Sequence, residues 1–566
     1  MIVGIDLGTT NSLVGAFRDG QVELAPNALG HVLTPSAVSI GDDGQVLVGL
    51  AARERLGLHP GRTAVAFKRW MGTGKQVRLG GRDFRAEELS ALVLRSLIAD
   101  ARQHFGEPAD EAVITVPAYF NEAQRRATKT AAELAGLKVR RLLNEPTAAG
   151  LAYGLQDKPD HTTFLVLDLG GGTFDVSVIE YFEGVVEVRA SAGDTRLGGE
   201  DFTAAIHDWL LRRAGLDDAA REEMAHARTL WRVAEQLKRD LSQTESAHAA
   251  CTLPQGLSID AMLDRAGFES QCAELLQRLR RPIERALSDA RIDTAQLDAV
   301  VLVGGATRMP IVRQLVARLF QRLPLRLVDP DEAVARGAAV QAALCARDAA
   351  LDEVVLTDVM PYSLGVTTME AIRGQRVADC FVPILERNTP LPVSRSKVFS
   401  TVMHNQPFVR IDVRQGESAI ASDNLLLATV QVPVPPQPAG TVPVEVRFSY
   451  DVNGLLEIDV HEAASGQRAH RVVQQTPNGM NEQELSRSLE RLSVLKIHPR
   501  DKQENQFLLE RGRRLFEDRL GEERSVIGES LAAFEAVLQG QDEAAIRRAR
   551  SQFKAFLDQI DRGFVL

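Results

Sequence analysis

Along the first 350 positions, apolar residues alternate between short β-rich runs and longer stretches with helical spacing. Glu111–Val116 and Ala299–Val303 read as buried strands, Ala86–Phe105 and 121–135 as helices. That alternation is the mark of layered α/β structure. From about 359 to 475 the period changes to two, in 408–413, 442–448 and 455–460, with Gly, Asn and Pro turns between, which predicts an antiparallel β domain. Beyond Met480 it becomes helical. Leu485, Leu489, Leu492 and Leu495 share one face and Ile527, Leu531, Phe534 and Leu538 another, so a small bundle is expected, broken at Pro499 and Gly521. At the first boundary, 352–358 holds three large apolar residues, Val354, Val355 and Leu356, bracketed by acids. Such a run is either one more buried strand or a hinge docked in one state and released in another; its place at the boundary favours the hinge.

The sharpest local feature is a repeat. Ile2-Val-Gly-Ile-Asp6-Leu-Gly8-Thr9-Thr10-Asn11-Ser-Leu-Val-Gly-Ala-Phe17 is echoed by Phe164-Leu-Val-Leu-Asp168-Leu-Gly170-Gly171-Gly172-Thr173-Phe-Asp175-Val-Ser-Val-Ile179. Each copy is an apolar strand, Asp-Leu-Gly, a turn of small residues and a second strand, so the chain contains two related halves. Gly and Thr in a tight turn leave backbone N–H groups uncovered, a concave nest that suits phosphate oxygens. Asp6 and Asp168 end their incoming strands, where a carboxylate holds Mg²⁺ directly or through its water shell. Either hairpin alone is equally well an ordinary turn. Two copies with Asp in the same register point to a polyphosphate gripped from both sides. Gly72-Thr-Gly-Lys75 is followed by Gln76 and lacks the earlier glycine of a Walker loop, and no G-x-G-x-x-G follows a strand.

Composition narrows the class further. The 566 residues carry 66 Lys plus Arg against 76 Asp plus Glu, with 45% apolar and 25% charged, close to a soluble chain of several domains. A net charge of −10 gives no general reason to bind nucleic acid. The start, Met1-Ile-Val-Gly-Ile-Asp6, is not an export signal, and no apolar run is long enough to insert into a membrane. Cys251, Cys272, Cys345 and Cys380 are widely separated, which fits a reducing cytosol without disulfides, and neither they nor the dispersed histidines suggest a transition-metal site.

Six runs occur in the order and spacing of one family: Gly4-Ile-Asp-Leu-Gly-Thr-Thr-Asn-Ser12, Ile114-Thr-Val-Pro-Ala-Tyr-Phe120, Asn144-Glu-Pro-Thr-Ala-Ala149, Asp168-Leu-Gly-Gly-Gly-Thr-Phe-Asp175, Gly198-Gly-Glu-Asp-Phe202 and Val303-Gly-Gly-Ala-Thr-Arg-Met-Pro310. Over almost its whole length the chain resembles the DnaK-type seventy-kilodalton heat-shock chaperones, above all their shortened, specialised bacterial members. The resemblance implies a multidomain α/β plus β fold. Its parts are an actin-like duplicated ATPase domain over 1–352, a linker over 353–358, an antiparallel β-sandwich peptide-binding domain over 359–476 and a short helical lid over 477–566. It also implies a cytoplasmic, monomeric, stress-response chaperone using ATP/ADP, Mg²⁺ and K⁺. Hydrolysis would switch the peptide site between open and closed states around apolar segments of unfolded clients, with a J-domain co-chaperone as partner.

Residue by residue, the resemblance places Lys68 at the γ-phosphate, Glu145 and Asp175 as carboxylates orienting the attacking water, and Thr173 beside that water. Gly8, Thr9, Thr10, Asn11, Gly170, Gly171, Gly172, Gly198 and Gly199 would line the phosphates. Glu235, Lys238, Arg239 and Ser242, three or four apart on one helical face, would hold adenosine. Arg308 would stack on adenine, with Gly304, Gly305 and Asp331 completing the pocket; Ala306 stands where relatives carry a polar residue. The peptide groove would use Val366, Thr368, Met369, Phe399, Ser400, Val402, Val409 and Ile411, reshaped by Met403 and Phe408. As plain β-sandwich residues these are equally well core. Pro117 and Arg125 match the relay from nucleotide to linker, Val354, Val355 and Leu356 its docking segment, and Arg141, Asn144 and Asp358 the J-domain contacts.

Two segments depart from the general chaperones: 75–85 and 243–262 are both short. The second lies where the exchange-factor loop sits in DnaK-like members, so fast spontaneous nucleotide release with no GrpE-type factor is expected. Three rivals share the phosphate hairpins. An actin-like small-molecule kinase leaves 359–566 without a purpose, and an actin-like filament protein would scatter light in ATP. A non-hydrolysing nucleotide-gated binding module would be expected to have lost some of Asp6, Lys68, Glu145, Asp168 and Thr173.

Overall fold

The computed structural model describes residues 1–41, 44–154, 161–182, 185–214, 228–252, 258–325, 328–347, 355–372, 375–451, 456–462, 466–473, 479–493, 495, 500–540 and 542–561. Val354, Pro499 and the expected boundaries at 352 and 476 lie outside these residues.

The internal repeat appears as two sheets of the same design. In the first, Ile2–Leu7, Asn11–Arg18 and Gln21–Leu24 form an antiparallel meander, and Ile2–Leu7 also pairs in parallel with Glu111–Val116, itself parallel to Lys138–Asn144. In the second, Thr162–Leu169, Phe174–Phe182 and Val185–Asp194 form the meander, and Thr162–Leu169 pairs in parallel with Ala299–Val303. Of the strands joined in parallel, Glu111–Val116, Thr162–Leu169 and Ala299–Val303 are apolar along most of their length, as required when helices cover both faces. Helices Glu145–Ala152 and Ala333–Ala346 lie between the sheets, where Ala148, Ala149 and Ala342 share a core with Val166 and Val303.

Residues Val355–Thr357 extend the second sheet, pairing in parallel with Val185–Glu187. The strand and hinge readings of this run are therefore compatible: it is a three-residue edge strand, held by one ladder. Leu356 packs on the core between the sheets.

The period-two region forms two four-stranded antiparallel sheets around one core. One runs Gln375–Leu385, Leu364–Ile372, Phe408–Gln415, Leu425–Pro433; the other runs Val393–Ser400, Pro443–Tyr450, Leu456–Glu462, Arg468–Val472. This sandwich is docked on the two-sheet α/β domain. Arg387 forks onto Asp289 at 2.9 Å, Asn388 donates to the same carboxylate, and the Tyr362 ring lies 4.3 Å from Tyr119.

The C-terminal helices differ from the expectation in one respect. Arg500–Asp518, Gly521–Gln539 and Glu543–Asp561 form a bundle around Leu508, Ile527, Phe534 and Phe553. Glu482–Ser493 does not join it. Leu492 and Leu495 enter the core of the first lobe beside Leu97 and Leu134, Arg95 donates to the Leu492 carbonyl at 2.9 Å, and Leu489 on the same stripe stays 40% exposed. A helical stripe shows that a face is buried but not against which neighbour.

Candidate functional site

The two Gly/Thr hairpins meet. A Cβ on Gly171 would fall 1.7 Å from the Thr10 hydroxyl, so only glycine lets the turns approach this closely. The loop before helix Gly199–Arg213 closes the cradle, Gly199 N–H donating to the Gly170 carbonyl and Glu200 N–H to that of Gly171, both at 2.9 Å. Gly8, Thr9 and Asn11 form the facing turn, and Thr173 ends its counterpart, its neighbour Gly172 lying against Thr9.

Below the cradle sits a buried charged cluster. Lys68 and Glu145, only 4% and 7% exposed, pair at 2.8 Å, and the ammonium also lies 5.5 Å from the centre of the Phe120 ring. Asp6 accepts from the Thr115 hydroxyl at 3.1 Å and Asp175 from the Tyr119 backbone N–H at 2.9 Å. Asp168 Oδ2, Asp175 Oδ2 and Thr10 Oγ1 are buried without a protein partner. Burial and the Glu145 charge push the Asp175 carboxyl up to about 8. The same causes raise Asp6 to about 7 and Asp168 well above its ordinary range. Bare acceptors and crowded carboxylates suit a ligand that brings positive charge, as Mg²⁺ with a nucleotide does. Among the described residues no three His, Cys, Asp or Glu side chains converge as a metal-binding group.

Raised acids have a stability consequence. A folded form that keeps protons the unfolded chain has already lost is favoured at low pH, and that advantage disappears as pH rises from about 4 towards 8. Nucleotide-free protein is therefore expected to show a falling Tm between pH 6 and 8.5, flattened by Asp175→Asn. A slope unchanged in the variant would show that these acids do not carry it.

On the far side of the cradle, helix Arg228–Asp240 presents Lys238, which donates to the Gly199 carbonyl at 2.9 Å and the Thr203 hydroxyl at 2.8 Å and pairs with Glu235 at 2.6 Å. Arg239 binds Glu235 at 2.8 Å, and the Ser242 hydroxyl donates to the Lys238 carbonyl. Arg308 is forked between Asp331 and Asp329, which fixes the plane of its guanidinium. Gly304, at φ +83°, turns the chain where a Cβ would sit 2.7 Å from Asp168 Oδ1; Gly305 lies against Asp331 and Ala306 against Gly199. Three contacts were not read from the sequence. Arg69 pairs with Asp201 at 2.6 Å between the lobes, Thr203 donates to Glu235, and Tyr119 holds Asp175. Arg69 adjoins Lys68 and Asp201 lies in the Gly198–Phe202 run, which is the signal that was there to use.

The relay residues also come together. Arg125 donates to Asn144 at 2.6 Å and to the Ala118 and Phe120 carbonyls next to Pro117. Asp358 accepts from Thr147 at 2.8 Å, two residues beyond Glu145, while Arg141 Nε is buried without a partner. In the sandwich, Val366 and Ile411 are 2% and 3% exposed and belong to its core, with Phe399 and Val409 packed against it. Thr368 and Val402 are half-buried; Met369, Ser400, Met403 and Phe408 are exposed. The proposed groove set thus divides into a buried floor and an open rim.

A cradle of two Gly/Thr hairpins between two like sheets is thus joined by an edge strand to a β-sandwich that carries exposed apolar side chains. The family described as "Hsp70 protein" matches residues 2–77 and 73–560. The chain is 43% identical over 523 residues to chaperone protein dnaK3 of Thermosynechococcus vestitus, covering 86% of this chain and 75% of that one. It is 41% identical over 503 residues to chaperone protein DnaK of Thermotoga petrophila, covering 86% and 83%. The chain belongs to the Hsp70 family, as an ATP-hydrolysing molecular chaperone that binds client proteins. Among the described residues no helix is long and apolar enough to cross a membrane.

Proposed function

We propose that ATP held between the two hairpins controls the peptide site, and that Lys68, Glu145, Thr173 and Asp175 carry the hydrolysis. The observation behind this reading is the buried Lys68–Glu145 pair facing Asp6, Asp168 and Asp175. Lys68 is already desolvated and held, so its charge meets the transferring phosphoryl group without reorganisation. The hairpin N–H groups donate to phosphate oxygens, and Glu235, Lys238, Arg239, Ser242 and Arg308 bind the adenosine. Asp175, tied through Oδ1 to Tyr119, keeps its buried Oδ2 for the attacking water. Thr173 and Glu145 orient the same water. Asp6 and Asp168 would hold Mg²⁺ through its waters, where it supplies positive charge to the phosphates, with K⁺ as a companion cation.

The nucleotide domain is read as 1–352, the linker as 353–358, the peptide domain as 359–476 and the lid as 477–566. The paired linker strand and the terminal helices seated on the first lobe support reading this arrangement as the ATP-type state, with the peptide site open. Thr368, Met369, Phe399, Ser400, Val402 and Val409 would then grip an extended apolar segment by strand-like bonding and side-chain pockets, with the core residues Val366 and Ile411 beneath them. A J-domain partner would engage Arg141, Asn144 and Asp358. Charge reversal, Asp358→Arg, removes the Thr147 contact and is expected to abolish partner stimulation of the ATPase while leaving ATP affinity within about twofold. Unchanged stimulation in a partner-titrated ATPase assay would refute that role. The short hairpin Ser246–Thr252 and Ser258–Asp264 supports fast ADP release without a GrpE-type factor, and the chain is read as a cytoplasmic monomer.

The deciding experiment is single-turnover ATP hydrolysis with and without an extended apolar peptide. Hydrolysis that rises with peptide is expected. Tight ATP binding without hydrolysis would favour a nucleotide-gated binding module, and hydrolysis indifferent to every peptide would reopen the kinase reading.

A further inference from the structure

The bundle helix Arg500–Asp518 does more than cover the first lobe. Glu510, Arg514 and Asp518 stand on successive turns of one face, spanning about 12 Å along the axis. Glu510 pairs with Arg55 at 3.1 Å, both side chains almost fully buried at 0% and 5% exposure. Arg514 pairs with Glu54. Both partners lie on helix Leu50–Leu58 of the first lobe. The third contact changes side: Asp518 pairs at 2.6 Å with Arg232. Arg232 lies on helix Arg228–Asp240 of the second lobe, one turn before Glu235 and two before Lys238 and Arg239. Arg514 also reaches Asp518 at 3.2 Å, so the contacts form one chain of alternating charge, Glu54–Arg514–Asp518–Arg232. The two lobe helices are close here, because Arg53 senses the charges of Glu235, Arg239 and Glu200.

We infer that this helix straps the mouth of the nucleotide cleft, and that Asp518 is a positioning residue which, through Arg232, holds the adenosine-binding helix against the first lobe. Opening the cleft to release nucleotide separates helix Leu50–Leu58 from helix Arg228–Asp240. A rod fixed to both resists that separation. The buried Arg55–Glu510 pair anchors the rod, while the half-exposed Asp518–Arg232 pair is the weak end that lets go first. Departure of the bundle from the nucleotide domain therefore unlocks nucleotide exchange, which ties exchange to the position of the lid.

The inference rests on the proposed adenosine role of helix Arg228–Asp240, and the test separates the two. Release of a fluorescent ATP analogue is measured by stopped-flow chase on the full-length protein carrying Thr173→Ala, with Arg232→Glu, Asp518→Arg, the double swap and Glu235→Ala compared. Each single swap replaces attraction by repulsion and is expected to speed release roughly three- to tenfold; the double swap restores the attraction between positions 232 and 518 but not the one to Arg514, and is expected to recover most of the slow rate. Glu235→Ala is expected to weaken nucleotide affinity. If it does while both swaps leave release unchanged, the strap is refuted and the adenosine site stands. If Glu235→Ala changes nothing, the reading of the helix fails first. Fast release in the double swap as well as in the singles would mean that the substitutions act by loosening the fold, and would also overturn the strap.

Discussion

Replacing Lys68 by alanine is expected to slow single-turnover hydrolysis by about 10²- to 10³-fold, the usual cost of losing one preorganised group at developing phosphoryl charge. The variant does two things at once. It removes the cation, and it leaves Glu145 buried without its 2.8 Å partner in a cluster already crowded with Asp6, Asp168 and Asp175. A buried carboxylate stripped of its partner costs about 3–5 kcal/mol, or takes up a proton instead. The double variant Lys68→Ala/Glu145→Gln separates the effects. It should regain the lost Tm because no unpaired charge remains, yet stay as inactive as the single variant. ATP affinity, set by the hairpin N–H groups and the adenosine helix, should fall less than tenfold in both. Near wild-type turnover in Lys68→Ala would remove Lys68 from the mechanism.

The two-hairpin cradle and the acids beneath it were legible in the sequence because they are carried by backbone geometry. Tight turns demand Gly171 and Gly304, strands end at Asp6 and Asp168, and these constraints repeat in register. Strands Glu111–Val116 and Ala299–Val303 and helix Ala86–Phe105 lie where periodicity places them, because each has one consistent burial pattern. Periodicity is silent about partners. The Leu492 face is apolar whether it completes a bundle or enters the first lobe, and nothing local selects the second. Alternation likewise gives two faces of a strand without saying which one meets the other sheet. Hence Val366 and Ile411, assigned to the groove, lie in the sandwich core. Contacts between distant residues, such as Tyr119 to Asp175 and Asp518 to Arg232, leave no spacing signature at all.

Tyr450→Phe is expected to shift the balance between docked and undocked sandwich towards the undocked form. Glu122, at the start of helix Glu122–Leu134, is buried where the domains meet and accepts from Arg126 at 2.6 Å and from the Tyr450 hydroxyl at 2.9 Å. Its backbone N–H donates to Gln415 at 3.0 Å, so two elements of the sandwich converge on one residue of the nucleotide domain. Burial raises the Glu122 carboxyl, a sign that its charge is tolerated only while these donors stay in place. In the undocked form Glu122 and Tyr450 face water and the substitution costs nothing. In the docked form it leaves a buried acceptor short of a donor, about 1–3 kcal/mol, or roughly 5- to 150-fold in the equilibrium. If docking restrains hydrolysis until peptide arrives, basal ATP turnover must rise and peptide stimulation must shrink by a similar factor, because both draw on the same equilibrium. Gln415→Ala, which removes the second contact, should act in the same direction. The double variant should exceed either single one while peptide affinity of the undocked form stays unchanged. A loss of basal turnover in Tyr450→Phe would instead mean that docking promotes hydrolysis, and would reverse the sign of the coupling proposed for this chain.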